Sequence, residues 1–521
     1  MVKVDRGIIQ MWGLCAVAIV NSATNGYDGS MMNSLQTSTQ FDGYFNHVVT
    51  DNSQAGTLGL INAIMSIGSL VGVFFAPPAS DRLGRKWAII IGSVIMIIGV
   101  ALQTGATVIG MFIAARFLIG FGLAITSNAA PTLVTELAHP DQRGVITGLY
   151  NTMWYLGSII AAWTTFGTIN IQNTWAWRIP SLLQMLPSLL QVVAVGFMPE
   201  SPRWLIAQGQ VDKAHAILTK LHGNGDPNDP IVQLEMKEIE EAIRLEREVS
   251  KKSYMELIRT PGNRYRMFLI ICVGFFSQWS GNGLVSYYLT LILKSIGIID
   301  PTTQNLINGI LQIFNLICAV SAALVVEKLG RRKLFIISTA GAMVAFWLQT
   351  IFTALFHEGG GTSKSLGQAS VAMIFLFYGF YDLAWTPLTV LYPVEILPFT
   401  IRAKGMAISA LAIDLALFFN QYVNPVALTN AGWKYYIFYC IWLAIELAVV
   451  LKWFPETKGR TLEELAEVFD KDAASQTIRE MREMRERIAM GDTEAGLKVE
   501  EYGLEGDHRN VETKVLGDQK I

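Results

Sequence analysis

Several residues in this chain occur where simple packing does not account for them. Asp28, Arg116, Asp382, Asp414 and Glu446 are ionisable groups inside long apolar runs. A charge in hydrocarbon is costly unless it is paired or hydrated, so each points to an ion pair, a proton path or a wet cavity. Asp28 closes a helical stripe made of Asn21, Thr24 and Asn25. Neutral polar groups form further stripes. In the apolar run from about 267 to 293, Gln278, Asn282 and Ser286 fall at i, i+4 and i+8, with Gly281 and Gly283 thinning the helix beside them. Thr147, Asn151 and Tyr155 form a second stripe, Asn308, Gln312 and Asn315 a third, and Tyr378, Tyr381, Asp382, Trp385 and Thr389 a fourth. One such stripe alone reads equally as glue between helices. Four of them converging favour a shared cavity in which amides and hydroxyls supply donors and acceptors and aromatic rings an apolar face, the chemistry of a ligand rich in hydroxyls.

These residues are positioned by membrane-spanning helices. With 52% hydrophobic and 16% charged residues over 521 positions, the chain is too apolar for a soluble domain of that size. A net charge of -2 gives no basic footprint for nucleic acid. Cys15, Cys272, Cys318 and Cys440 lie in apolar runs without metal-like spacing, and six histidines, mostly in loops and tails, make neither a catalytic nor a metal site, so an enzyme is not expected. Segments of about 20 apolar residues occur at roughly 8–28, 53–77, 87–105, 108–136, 145–167 and 178–198, then at 267–295, 303–326, 334–356, 369–393, 404–425 and 433–454. The expected fold is therefore an all-α membrane protein of twelve transmembrane helices in two six-helix bundles. Its units are 1–199, a cytoplasmic helical linker at 200–262, 263–460 and a cytoplasmic tail at 461–521.

Lys and Arg concentrate in alternate loops at Arg82, Arg85, Lys86, Arg143, Lys328, Arg331, Arg332, Lys333, Arg402 and Lys404, which places both termini in the cytoplasm. The halves also repeat each other at an offset of about 250 residues. Asp81-Arg82-Leu83-Gly84-Arg85-Lys86 returns as Glu327-Lys328-Leu329-Gly330-Arg331-Arg332-Lys333, Glu136 with Arg143 returns as Glu395 with Arg402, and Pro199-Glu200-Ser201 returns as Pro455-Glu456-Thr457. Duplicated halves place a site at the midplane between them. Asp81, Arg85, Glu136, Arg143, Glu200, Glu327, Arg331, Glu395, Arg402 and Glu456 are then candidates for a cytoplasmic gate of breakable ion pairs between the halves. Charges that only set topology would not explain the recurring glycine.

Taken in order, GYDG at 26–29, DRLGRK at 81–86, RFLIGFG with Arg116, ELAHPDQRG at 136–144, PESPRWL at 199–205, EKLGRR at 327–332 and PETKGRTLEE at 455–464 make a specific set. On these motifs the chain resembles the sugar porter family of the major facilitator superfamily from about Ala18 to Glu464. Lined up on Tyr287-Tyr288, the family's Gln-Gln pair is Ser277-Gln278, and its Asn is Gly283 with Asn282 one place earlier. Those departures resemble the fungal lactose and cellodextrin permeases, and smaller groups at two ligand-facing positions would enlarge a pocket.

The resemblance implies a monomeric proton-coupled transporter of a small-molecule sugar in the plasma membrane, with the proton as coupling ion and no cofactor or metal. A disaccharide such as lactose or cellobiose is the expected substrate; a hexose or pentose, or a non-transporting sugar sensor on the same fold, are the alternatives. Asn25, Asn151, Gln278, Asn282, Tyr287, Asn315, Asp382 and Trp385 are its candidate sugar contacts. By the same resemblance Asp28 is the proton site and Arg116 its partner; movement of one against the other would link proton binding to conformation, and a permanent structural pair is the alternative. Val390 replaces a customary pocket Trp, leaving ring stacking to Trp385 or Trp279. No family role transfers to Asp414, for which a second proton site, a hydroxyl acceptor or a place in a wet channel all stay open; Glu446 is expected to be protonated or to face a neighbouring helix.

Overall fold

A long apolar segment crosses hydrocarbon most simply as a helix, because a helix satisfies its own backbone. In the computed structural model of this chain, which describes residues 6–139, 143–250, 254–458 and 468–469, every regular element is helical. The first half holds α1 (Arg6–Leu35), α2 (Thr39–Tyr44), α3 (Ala55–Leu83), α4 (Arg85–Thr104), α5 (Ile109–Leu137), α6 (Arg143–Thr168), α7 (Trp175–Leu183) and α8 (Met185–Gly196). The charged middle stretch folds into α9 (Pro202–Ala207), α10 (Val211–Leu221), α11 (Pro230–Ser250) and α12 (Glu256–Arg259). The second half holds α13 (Pro261–Trp279), α14 (Asn282–Ser295), α15 (Pro301–Leu329), α16 (Arg331–Glu358), α17 (Lys364–Ala384), α18 (Leu388–Ile396), α19 (Phe399–Ala431) and α20 (Tyr436–Trp453). Among the described residues nine helical stretches are long and apolar enough to cross a membrane, the last running over both α19 and α20. The chain is an integral membrane protein. Helices α1 and α6, which carry polar stripes, are helical over their expected segments but fall outside those nine.

Three expected spans are broken rather than continuous. Pro187 cannot donate to the carbonyl of Leu183, and α7 gives way to α8 at Gln184; Pro387 likewise separates α17 from α18. The third break, between α13 and α14, has Gly281 in the left-handed region at φ 104°. Each break lies next to a polar cavity described below.

The apolar cores separate by half. One cluster runs from Leu257 to Phe469, two others lie between Met11 and Leu221, and α9 to α11 share a small one of their own. Within the first half α1 crosses α6 closely: a Cβ on Gly26 would come within 1.8 Å of the Trp154 carbonyl, and one on Gly157 within 1.8 Å of the Ala23 carbonyl. That approach brings Ser22 and Asn25 beside Trp154. Between halves, α3 packs on α19, α6 on α15 and α1 on α14.

Candidate functional site

The break between α13 and α14 shapes the site. A helix interrupted at Ser280 and Gly281 exposes carbonyls that would otherwise be paired in the next turn. Neighbouring side chains take them up: Tyr381 donates its hydroxyl to the Ser277 carbonyl at 2.5 Å, and Asn420 donates its amide to the Gln278 carbonyl. A Cβ on Gly281 would meet the Phe346 ring at 2.7 Å, and one on Gly283 would meet the Asn420 amide at 2.1 Å. The stripe expected on one continuous helix is thus carried across a bend, and Gln278, Asn282 and Ser286 still face one space.

That space is a cavity of about 400 Å³ between the halves. Asn25, Gln278, Asn282, Tyr287, Asn315 and Trp385 line it, together with Ser22, Tyr150, Trp154, Tyr155, Gln312, Tyr378, Tyr381, Thr386 and Asp414. The side-chain oxygens of Asn282, Gln312 and Asn315 are buried and accept no hydrogen bond from the described residues. Buried acceptors are costly to leave unmet, so this wall suits a ligand that brings hydroxyl donors. Trp385 is held by donation from its indole N–H to Thr339 at 3.2 Å and by the Phe335 ring at 4.9 Å. Trp154 faces the same cavity and meets Tyr155 edge-on at 5.1 Å. The side chain of Asn151 lies outside the described residues.

Several sequence-based assignments change in three dimensions. Asp382 is fully buried and does not line the cavity; it stands behind Tyr155 and Thr386, whose hydroxyls donate to its Oδ1 at 2.5 and 2.6 Å. Trp279 donates to the Ala416 carbonyl at 3.0 Å and packs on Phe419, so it closes a helix interface and lines neither cavity. Ser277 turns back onto the Gly274 carbonyl at 2.9 Å, and Gly283 makes room for Asn420. Neither enlarges the cavity, because the bend turns both away from it. Glu446 is buried in α20 and touches neither cavity. Tyr150, Trp154 and Ser22 did not stand out in the sequence; the signal for Trp154 was its place beside Tyr155 on a striped helix.

A second cavity of about 570 Å³ shares Asn25, Ser127, Tyr287, Asp414 and Leu417 with the first and runs past Asp28 and Arg116 to Asp81 and Arg85. The Asp81 side chain is 71% exposed, so this path reaches the surface at the end of the molecule that carries the basic loops. Asp28 and Arg116 are buried face to face, with Nη1 to Oδ1 at 3.3 Å and Nη2 to Oδ2 at 3.5 Å. Arg116 also donates Nε–H to the Ile61 carbonyl at 2.7 Å, and Gln184, at the break between α7 and α8, donates to Asp28 at 2.7 Å. Asp28 is therefore held from two helices while its side chain lies on the path.

The opposite end is closed between halves. Gln36 donates to the Tyr287 carbonyl at 2.8 Å, Thr290 to the Asn33 carbonyl at 3.1 Å, Asn305 to Thr37 at 2.6 Å and Asn308 to Ser34 at 3.0 Å. At the basic end the ion pairs among the described side chains stay within one half; the pairs expected to join the halves belong to the state in which this end is closed, whereas here the path opens at it. Arg85 pairs with Glu136 at 3.1 Å and Asp81 at 3.6 Å, and Arg331 pairs with Glu395 at 2.7 Å. Glu200 accepts from the backbone N–H of Arg85 at 3.0 Å and Glu456 from that of Arg331 at 2.8 Å, each carboxylate seated at a helix start. Gly84 and Gly330, at φ 96° and 88°, leave space for those carboxylates, which explains the glycine in both repeats. Burial pushes the Glu200 carboxyl above its ordinary value. Burial acts the same way on Glu456, but donation from the backbone of Lys458, Arg331, Arg332 and Thr457 outweighs it and holds that carboxyl below. Arg402 donates to the Leu397 carbonyl at 3.1 Å, and the side chains of Arg143 and Glu327 lie outside the described residues, as does nearly all of the tail.

Residues 14–469 match the family model described as sugar (and other) transporter. A glucose transporter of Aspergillus flavus is 29% identical over 98% of this chain and 100% of its own length. A sugar transporter of Saccharomyces cerevisiae is 29% identical over 86% of this chain and 79% of its own, and a quinate permease of Emericella nidulans 28% identical over 94% and 95%. Among solved structures, the inward-open xylose transporter of E. coli superposes with a TM-score of 0.73 at 22% identity, covering 88% of this chain and 100% of that one.

Proposed function

This chain belongs to the sugar (and other) transporter family, and on that premise we propose that it is a proton-coupled sugar importer of the plasma membrane. It works by alternating access with twelve spans in two six-helix bundles and both termini in the cytoplasm. The observation that carries the reading is the buried Asp28–Arg116 pair beside the cavity path. The Arg116 guanidinium and the Gln184 amide both hold the Asp28 side chain, and a shift of α1 against α5 would change those contacts and so link a proton on Asp28 to the conformation. The hydroxyl-seeking wall of the first cavity supplies the sugar contacts, with Trp154 and Trp385 as ring faces. In the conformation described, the path opens at the basic end, which the loop charges assign to the cytoplasm.

For the substrate class, the reading rests on the space available. The two cavities, about 400 and 570 Å³, are contiguous through five shared residues, and that length favours a disaccharide such as lactose or cellobiose. The glucose transporter among the relatives favours the second reading, a hexose. Competition of labelled cellobiose and glucose uptake by a panel of both classes separates them. For the coupling, Asp28→Asn is expected to abolish pH-driven accumulation in proteoliposomes while keeping exchange of sugar at equal concentrations. Uphill uptake that survives in this variant refutes the assignment, and absence of any uptake by the unaltered chain favours a sensor.

A further inference from the structure

Asp414 has no role in the reading above, yet it is an acid placed at the border of both cavities. The other acids near the path are engaged: Asp28 by Arg116 and Gln184, Asp81 by Arg85, and Asp382 by Tyr155 and Thr386. Among the described residues Asp414 has no hydrogen-bond or ion-pair partner. The cations follow the opposite pattern. Among the described lining residues they are Arg116 and Arg85, and each already faces a carboxylate, Asp28 for the one and Glu136 with Asp81 for the other. Among the described residues the combined space thus offers a carboxyl group with two unused oxygens and no unpaired cation to receive an anion.

We propose that Asp414 contacts the substrate and sets its charge class. Its two oxygens accept from neighbouring hydroxyls of an uncharged polyhydroxylated ligand through charge-assisted hydrogen bonds. The same charge disfavours polyhydroxylated carboxylates, which meet like-charge repulsion where no unpaired cation among the described residues faces them. Asn25 and Tyr287, which border both cavities with Asp414, supply neutral groups to the same ligand. The inference rests on the transport reading for its setting but concerns which solutes the cavity holds. It would set this chain apart from a relative such as the quinate permease of Emericella nidulans, which is 28% identical to it.

The test compares partners of one skeleton that differ in charge, glucose against gluconate and cellobiose against cellobionate. Binding to the full-length protein in detergent is read by quenching of tryptophan fluorescence, and competition for labelled glucose or cellobiose uptake is read in proteoliposomes. The unaltered chain is expected to favour each neutral partner at least tenfold. Asp414→Asn narrows that preference at least tenfold, and Asp414→Glu keeps it. A preference unchanged in Asp414→Asn, or gluconate bound as well as glucose by the unaltered chain, overturns the proposal while leaving transport intact. Binding that shows the expected preference without uptake overturns the transport reading and supports this one. Failure of both partners to bind overturns both.

Discussion

The two ends of this molecule are built from different bonds, and the difference follows what each must do. At the closed end, neutral amides and hydroxyls join α1 and the two residues after it to α14 and α15 across the halves. At the basic end, charges pair inside one half and carboxylates seat on the starts of α4 and α16. A neutral hydrogen bond exchanged with water contributes about 1 kcal/mol, so a few of them make a contact that closes and reopens. A buried ion pair is far harder to break one partner at a time, so it suits a contact that stays made within one half.

The strongest way to break the comparison is to make the closed end permanent. Replacing Thr37 and Asn305 with cysteines, where Asn305 Nδ2 and Thr37 Oγ1 lie 2.6 Å apart, is expected to lock α1 to α15 on oxidation and abolish uptake, with recovery on reduction. Uptake that continues under oxidation, with the bond shown to have formed, means that this end does not open. Next in size is Arg331→Ala, which leaves Glu395 unpaired. It should cost about 3 kcal/mol of stability, seen as a lower melting temperature in detergent and partly rescued by Glu395→Gln. An unchanged melt would remove the distinction between the two ends.

Smaller effects sharpen the contrast. Asn308→Ala removes the bond to Ser34 and should favour opening of the closed end by roughly 1 kcal/mol. Faster thiol labelling of a cysteine placed at Gly29, applied from that side, would report the shift. The smallest effect separates the two repeated caps. Glu456, held below its ordinary value, adds stability that is present above the usual carboxylate range and lost as pH falls through its own lowered value. Glu200, raised by burial, has the opposite sign: its charge weakens the fold as pH rises from the ordinary value through the raised one. Glu456→Gln should therefore destabilise at pH 7 more than Glu200→Gln, by about 0.5–1 kcal/mol, and the difference should vanish in acid. Equal melting at pH 7 would show the repeats to be equivalent.

Much of the architecture was legible because it depends on local physics. Hydropathy marked segments that are helical, and the repeat of Gly84 and Gly330 marked one local structure used twice. The site was less legible, because periodicity assumes an unbroken helix. Gln278 and Asn282 face the cavity across a bend at Gly281, whereas Ser277, Gly283 and Trp279 turn to Gly274, Asn420 and Ala416. Asp382 carries a similar lesson, since a stripe identifies a face and does not say whether another half will cover it, as Tyr155 does.

The sequence by itself determined that the chain is a helical membrane protein, that its halves repeat and that acids sit inside its apolar runs. These follow from composition and spacing, which act within one segment. Only the tertiary structure decided which charges pair with which, because that depends on side chains from helices distant in sequence meeting in one place. Arg116 was taken by Asp28, Arg85 by Glu136 within its own half, and Asp414 by none among the described residues, the distribution on which the proposed charge preference rests.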